Sequence, residues 1–312
     1  MSALKVSVII PTLNRVNDLQ RCLDSLMTQT VKPDEICVFD NGSTDGTLDL
    51  LLRYPVKVLS VPSVALSRLF NLGWQSTQAE FVAYLNDDAE VVPEWLERIE
   101  QAFDEFPQAA VVGGPTIAMR DQEIYSMYQT LMHSHWFVWL AKFYNSFIHQ
   151  GQLFDVGAYS ESGAYSIGGS LRECLKEENP YPVTLLSITN MVIRQSALKN
   201  VGGFDESFRY AHIDGDLFLR LGKAGYILIF NPKAVVWHYV NPTGLTRSAY
   251  VLGRDLANLY RKHLPPHSVI GWLRFIVNVA FVNAFWVYKA LVLRQPRVLM
   301  GIWGFVVGSV RS

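Results

Sequence analysis

The sequence predicts an α/β protein: a mostly parallel sheet flanked by helices, followed by an apolar helical tail. Three observations predict it. Short β-branched runs alternate with amphipathic stretches from residue 5 to residue 113, the pattern of successive βαβ crossovers. Two of those runs end in acid-bearing turns, Asp40-Asn41-Gly42-Ser43 and Asn86-Asp87-Asp88, which suits sheets whose ligands sit beyond the carboxyl ends of the strands. Beyond Asp255 there is no acid at all, while seven Lys and Arg residues lie among Trp, Phe, Val and Leu.

In chain order, residues 5–11 read as a strand, and Leu19, Cys22, Leu23 and Leu26 mark the buried face of a helix. Residues 35–39 read as strand, 44–54 as helix, 56–61 as strand, 65–76 as helix and 81–85 as strand. Pro93 opens a helix that runs to residue 106, and Ala109–Gly113 gives the next strand. Residues 121–182 differ: Trp136, Phe137, Trp139, Phe143, Tyr144 and Phe147 precede a stretch rich in Gly and Ser. They predict an aromatic helix, either packed in the core or facing an acceptor or membrane, and then a mobile loop over 151–170 that could close over a substrate. Order returns from residue 185, with a Gly202-Gly203 turn, a helix over 215–224 and a strand at Ile227–Phe230. In the tail, residues 275–288 and 298–310 have uncharged cores of 14 and 13 residues. Both fall short of the roughly 20 needed to cross a bilayer, so helices lying in the membrane plane are expected, with one span over 275–293 as the alternative.

Half of the 312 residues are hydrophobic and 18% are charged, which excludes a disordered or a highly charged chain. The net charge of −1 divides into +7 after Asp255 and −8 before it. Cations interleaved with apolar side chains suit an anionic membrane surface and argue against nucleic acid. Three cysteines without a CxxC pair suit a reducing compartment, and no apolar signal segment precedes the first strand. The expected location is therefore the cytoplasmic face of the cell membrane, peripheral or monotopic.

Adjacent carboxylates such as Asp87 and Asp88 repel each other unless a cation or hydrogen-bond donors neutralise them. Mn2+ or Mg2+, which takes oxygen ligands and keeps positions for substrate phosphates, is the usual remedy; a polar turn capping the next helix is the alternative. Asp214-Gly215-Asp216 precedes an amphipathic helix, where a carboxylate either accepts a proton from an attacking hydroxyl or favours the helix N-terminus. His238 ends an apolar run and reads as structural or as a ligand.

Taken in order, SVIIPTLNR at residues 7–15, DNGSTDGT at 40–47, FVAYLNDDAEVVPEWL at 81–96, VGGFDESFRYAHIDGDLFLRLGKAGY at 201–226 and NPKAVVWH at 231–238 resemble the family-2 glycosyltransferases. The likeness covers about residues 4–260 and is nearest in flavour to rhamnosyl- and galactofuranosyl-transferases. It implies a Rossmann-like GT-A fold and an inverting, metal-dependent transfer of a sugar from a UDP or dTDP nucleotide-sugar. By position, it implies that Pro11, Thr12 and Asn14 line the nucleotide pocket and Asp40 contacts base or ribose. Asp87 would lie near ribose and diphosphate, Arg68 is a candidate for the diphosphate, and Asp88 with His238 would bind the metal. Asp214 would be the general base. Asn86 stands at the first position of the DxD-type motif and Ile213 where many relatives carry an acid, so Asp214 and Asp216 both remain candidates for the base.

The expected division is a nucleotide-sugar-binding half over 1–115, an acceptor and catalytic half over 116–240 and a membrane-associating helical segment over 241–312. Together with the basic tail this implies a polyprenyl-diphosphate-linked saccharide as acceptor. A nucleotidyltransferase would need a glycine-rich phosphate loop, and residues 11–15 contain no glycine. A sugar-nucleotide-binding or membrane scaffold without activity is the remaining alternative.

Overall fold

The computed structural model describes residues 4–61, 64–119, 138–166, 168–239, 249–264, 268–291 and 294–310. Trp136 and Phe137 of the aromatic stretch lie outside the described residues. The chain divides into two compact units, and the division passes through one helix after its first turn.

The first unit takes the described residues up to Met119, Gly169–Glu206 and those from Leu217 to residue 239. Its strands are β1 (Val6–Thr12), β2 (Glu35–Asp40), β3 (Lys57–Ser60), β4 (Phe81–Tyr84), β5 (Ala89–Val91), β6 (Ala109–Gly113), β7 (Thr116–Ala118), β8 (Tyr181–Val183), β9 (Met191–Arg194), β10 (Ile227–Phe230) and β11 (Val236–His238). Eight of them form one sheet in the order β3-β2-β1-β4-β9-β6-β10-β8, in which only β8 and β9 run against the rest. All seven residues of β1 are buried, as expected of a strand covered on both faces. The other three form a small sheet, β5-β11-β7.

The helices of this unit are α1 (Val16–Met27), α2 (Thr47–Leu51), α3 (Leu66–Gln75), α4 (Trp95–Glu105) and α6 (Gln195–Asn200), with α7 (Ile213–Lys223) from Leu217 onward. In α1, Leu19, Cys22, Leu23 and Leu26 are fully buried, and each large side chain so placed contributes about 1.5–3 kcal/mol. Trp95, Leu96, Ile99 and Phe103 form the corresponding stripe of α4 against the same core. Helix α2 is shorter than the sequence predicts: Gly46 takes φ +87° and the Asp45 carboxylate binds the Thr47 N–H, so the helix starts only there.

The second unit takes the described residues from 138 to Gly168, Ser207–Asp216 and those from 249 on. It holds α5 (Val138–Phe143), continued as a π turn over Tyr144–Ile148, the first turn of α7, α8 (Ala249–His263), α9 (Val269–Leu291) and α10 (Met300–Val310). Helices α8 and α10 cross at glycines. A Cβ on Gly304 would clash with the Tyr250 carbonyl oxygen, and one on Gly253 with that of Gly301.

Two elements differ in length or local order from what the sequence suggests. The first tail segment is one helix of 23 residues, Val269–Leu291, long and apolar enough to cross a membrane. The charges that bound the uncharged stretch are accommodated without breaking the helix: the Arg274 guanidinium reaches Glu161 at 3.2 Å, and Lys289 lies over the Phe285 ring. Its exposed side chains include Val269, Trp272, Leu273, Ile276 and Leu291, while Asn278 is buried and donates to the Ser162 carbonyl and the Tyr260 hydroxyl. The Gly/Ser stretch is also not the loose loop that its composition suggests. Tyr159 and Tyr165 pair as a β-bridge, and buried Ser162 donates its hydroxyl to the Ile148 carbonyl at 2.9 Å.

Candidate active site

Parallel pairing aligns the ends of three strands in the first unit. Thr12 is opposite Asp40 in the β1–β2 ladder, and Ile9 is opposite Tyr84 in the β1–β4 ladder, so Thr12 comes level with the residues just after β4. The side chains bear this out: the Thr12 hydroxyl donates to Asp87 Oδ2 at 2.8 Å. Asp40 is buried, and its carboxylate accepts the N–H groups of Gly42 and Ser43, which closes the turn after β2. Asn14 has φ +52° and its side-chain oxygen accepts the Thr44 N–H at 2.7 Å, tying the loop after β1 to the loop after β2. Pro11 lies in β1 beside Phe39 of β2. Arg68, on α3, is more exposed and ion-paired with Glu206 at 3.1 Å.

His238 reaches the same place from the far end of the unit's sequence. In the small sheet β11 runs antiparallel to β5 with His238 opposite Ala89, and the Tyr239 N–H donates to the Asp88 carbonyl at 2.9 Å. Buried Asn190 supports this arrangement: its amide donates to the carbonyls of Pro115 and Ala234 while its oxygen accepts the Trp95 indole N–H. The outcome is His238 Nε2 at 2.9 Å from Asp88 Oδ1.

Arg15 completes the cluster. Its Nη1 lies 2.6 Å from Asp88 Oδ2 and 3.3 Å from Asp87 Oδ1. Burial would raise the Asp88 carboxyl, but the His238 hydrogen bond and the positive charge around it outweigh burial and hold it below the usual carboxylate range. Asp87 behaves oppositely: burial dominates, the neighbouring Asp88 charge adds to it, and its pKa is pushed up to about 7 despite Arg15 and Thr12. Arg15 closes the SVIIPTLNR stretch, and the sequence alone assigns it no role. Its only sequence signal is a cation shortly after a strand whose neighbour ends in two acids.

Among the described residues no three His, Cys, Asp or Glu side chains gather closely enough to hold an ion by themselves. The Asp88–His238 pair nevertheless fits half of such a site. Its 2.9 Å separation matches the roughly 3 Å expected between neighbouring ligands at about 2.1 Å on an octahedral ion, and a guanidinium already sits where positive charge is favoured. Mg2+-type ions usually take only one or two carboxylates and complete their shell with water and substrate phosphates.

The second unit places the two remaining acids differently. Asp216 is fully buried, with Oδ1 2.6 Å from Lys262 Nζ and 2.7 Å from His263 Nε2, both on α8. So enclosed and neutralised, it is poorly placed to meet an incoming hydroxyl. Asp214 is half-buried at the start of α7, where its Oδ1 accepts the Gly215 N–H at 2.9 Å.

Comparison with known proteins gives this geometry a family. Residues 7–167, just over half of the chain, match the family described as Glycosyl transferase family 2. An N-acetylglucosaminyl-diphospho-decaprenol L-rhamnosyltransferase from Mycobacterium tuberculosis is 29% identical over 274 residues, covering 83% of this chain and 80% of its own. The fold resembles TarS of S. aureus, at TM-score 0.57 and 18% identity over 98% of this chain and 81% of that one. It also resembles a mannosyltransferase from Pyrobaculum calidifontis solved with GDP-Man and Mn2+, at TM-score 0.56 and 16% identity over 100% of this chain and 77% of that one. The chain is thus a glycosyltransferase with a GT-A fold and belongs to glycosyl transferase family 2.

Proposed function

We propose that the chain is an inverting, divalent-metal-dependent transferase that moves a sugar from a UDP- or dTDP-linked donor to a polyprenyl-diphosphate-linked saccharide at a membrane surface. The observation that carries this reading is the contact between Asp88 and His238 beside the aligned ends of β1, β2 and β4. The acceptor class comes from the similar mycobacterial protein, whose name specifies a decaprenol-diphosphate acceptor.

Asp88 and His238 Nε2 would hold Mn2+ or Mg2+, and the bound ion would offset the charge that collects on the departing diphosphate. Thr12 orients Asp87 through its hydroxyl, and Pro11, Asn14 and Asp40 shape the nucleotide end of the site. Arg68, ion-paired with Glu206, would have to leave that partner to serve the diphosphate. Asp214 takes the proton of the acceptor hydroxyl as its oxygen attacks the anomeric carbon, while the electron pair of the breaking C–O bond leaves on the nucleotide diphosphate. Asp216, neutralised by Lys262 and His263, fixes the start of α7 and takes no proton.

The tail supports a membrane location: Trp272 and Trp303 are exposed among apolar side chains, with Arg274, Lys289, Arg294 and Arg297 alongside. Three free cysteines suit a reducing setting, which supports the cytoplasmic face. A binding protein without turnover is the second reading, favoured by Asn86 and Ile213 at positions where relatives carry acids and by the lack of a three-ligand cluster among the described residues. A screen of UDP- and dTDP-sugars with and without EDTA, reading nucleotide release, separates the two. EDTA-sensitive release supports the transferase; donor binding with no release from any sugar rejects it in favour of the scaffold. Asp214→Asn should lower kcat by about 10²–10⁴-fold with donor KM little changed.

A further inference from the structure

We propose that Asp255 is a positioning residue for Asp214: from inside α8 its carboxylate fixes the backbone turn that presents the base. The proposal rests on the reading of Asp214 as base.

Asp255 is fully buried, in the middle of α8. Its Oδ2 accepts three consecutive backbone N–H groups, those of Arg209, Tyr210 and Ala211, at 3.0, 3.0 and 3.1 Å. Its Oδ1 accepts from the Arg254 guanidinium, which also donates to the Ser207 carbonyl. Three successive amides turned onto one oxygen form the concavity that proteins use to bind anions; here the anion is supplied by the chain itself. A buried carboxylate costs several kcal/mol unless it is fully satisfied, so an apolar residue would serve better if α8 needed only to pack.

What the turn leads to gives the arrangement its meaning. His212 follows at φ +57°, a conformation that residues other than glycine seldom take and that persists only where its surroundings impose it. Asp214 comes two residues later, and Asp216 is then gripped by Lys262 and His263. Asp255, Lys262 and His263 are spaced i, i+7 and i+8 along α8 and so share one face of the helix. That face holds residues 209–211 on one side of Asp214 and Asp216 on the other, leaving Asp214 between two fixed points. Since a displacement of about 1 Å can cost a reaction some 10²-fold, loosening one of them should reach the chemistry without touching substrate.

The test is backbone amide exchange together with steady-state kinetics on the full chain for Asp255→Ala, Asp255→Asn and Asp214→Asn. In Asp255→Ala, exchange at residues 209–211 should quicken at least tenfold and kcat should fall at least tenfold, with donor KM within twofold. Asp255→Asn, which keeps one acceptor oxygen, should be intermediate in both. Faster exchange with wild-type kcat overturns the proposal, as does unchanged exchange in either variant. If Asp255→Ala does not fold, Asp255→Asn decides by the same two criteria. Asp214→Asn should keep wild-type exchange at 209–211; if it also keeps wild-type kcat, the base reading has failed, while the exchange data still report the clamp.

Discussion

Replacing Arg15 by Gln removes the only cation seen bridging Asp87 and Asp88 among the described residues. Those carboxylate side chains are 9% and 4% exposed, and Arg15 is 23% exposed. Removing one partner of a fully buried pair costs about 3–5 kcal/mol, because the other charge is left without compensation. Arg15 is partly solvated and Asp88 keeps His238, so a loss of about 2–3 kcal/mol is the reasonable figure here. For a unit of this size that corresponds to a fall in Tm of about 5–10 °C. Differential scanning calorimetry in EDTA reads it directly. Repeating the scan with Mn2+ and UDP supplies the second half of the argument, because a divalent ion bound at Asp88 replaces the missing charge and should at least halve the difference from wild type. A Tm within 1 °C of wild type in EDTA, or a difference left unchanged by Mn2+ with UDP and equally by Mn2+ with dTDP, would refute the view that Arg15 stands in for the cation.

Two further predictions concern stability in the second unit. Burial lowers the His149 pKa from 6.5 to about 4, so the native chain keeps this imidazole neutral while the unfolded chain takes up a proton below about pH 6.5. Its contribution to stability is therefore complete above pH 6.5 and is lost as pH falls toward 4, by an amount on the order of 3 kcal/mol. His149→Phe, which retains a ring against Tyr144, should flatten that part of the stability profile in chemical denaturation, and an unchanged slope between pH 7 and 4.5 would contradict the assignment. Gly304→Ala should destabilise the α8–α10 crossing by about 1–3 kcal/mol, because its Cβ meets the Tyr250 carbonyl. Gly222→Ala, with no atom within 4 Å of the added Cβ, is the control and should be neutral or slightly stabilising in the same melt.

The parts of the fold set by local pattern were legible in the sequence. The runs that became β1, β2 and β4 are mostly apolar because both faces are covered, and the polar residues at or just beyond their ends, Thr12, Asp40 and Asp87, mark where the sheet stops. The α1 and α4 stripes were legible for the same reason, a helical period facing one core. What depended on distant pairing was not. Nothing near His238 announces that it will lie opposite Ala89, since that register depends on an antiparallel contact across 149 positions. The reversal of β9 is likewise invisible in its own four residues, MVIR. The sequence favours Asp214 as base but keeps Asp216 as an alternative; only the fold, through Lys262 and His263 of α8, tells the two apart. The tail helix is longer than its uncharged stretch because Arg274 finds Glu161 and Lys289 a ring without interrupting it.

Titration calorimetry of Mn2+ into the chain saturated with UDP tests the central claim most directly, using wild type, Asp88→Ala and His238→Ala. The account predicts one site in the wild type and affinity reduced at least roughly tenfold in each variant, as expected when a group that holds or orients a metal is removed. Wild-type Mn2+ affinity in Asp88→Ala, or no Mn2+ binding to the wild type in the presence of either UDP or, in a parallel titration, dTDP, would contradict it.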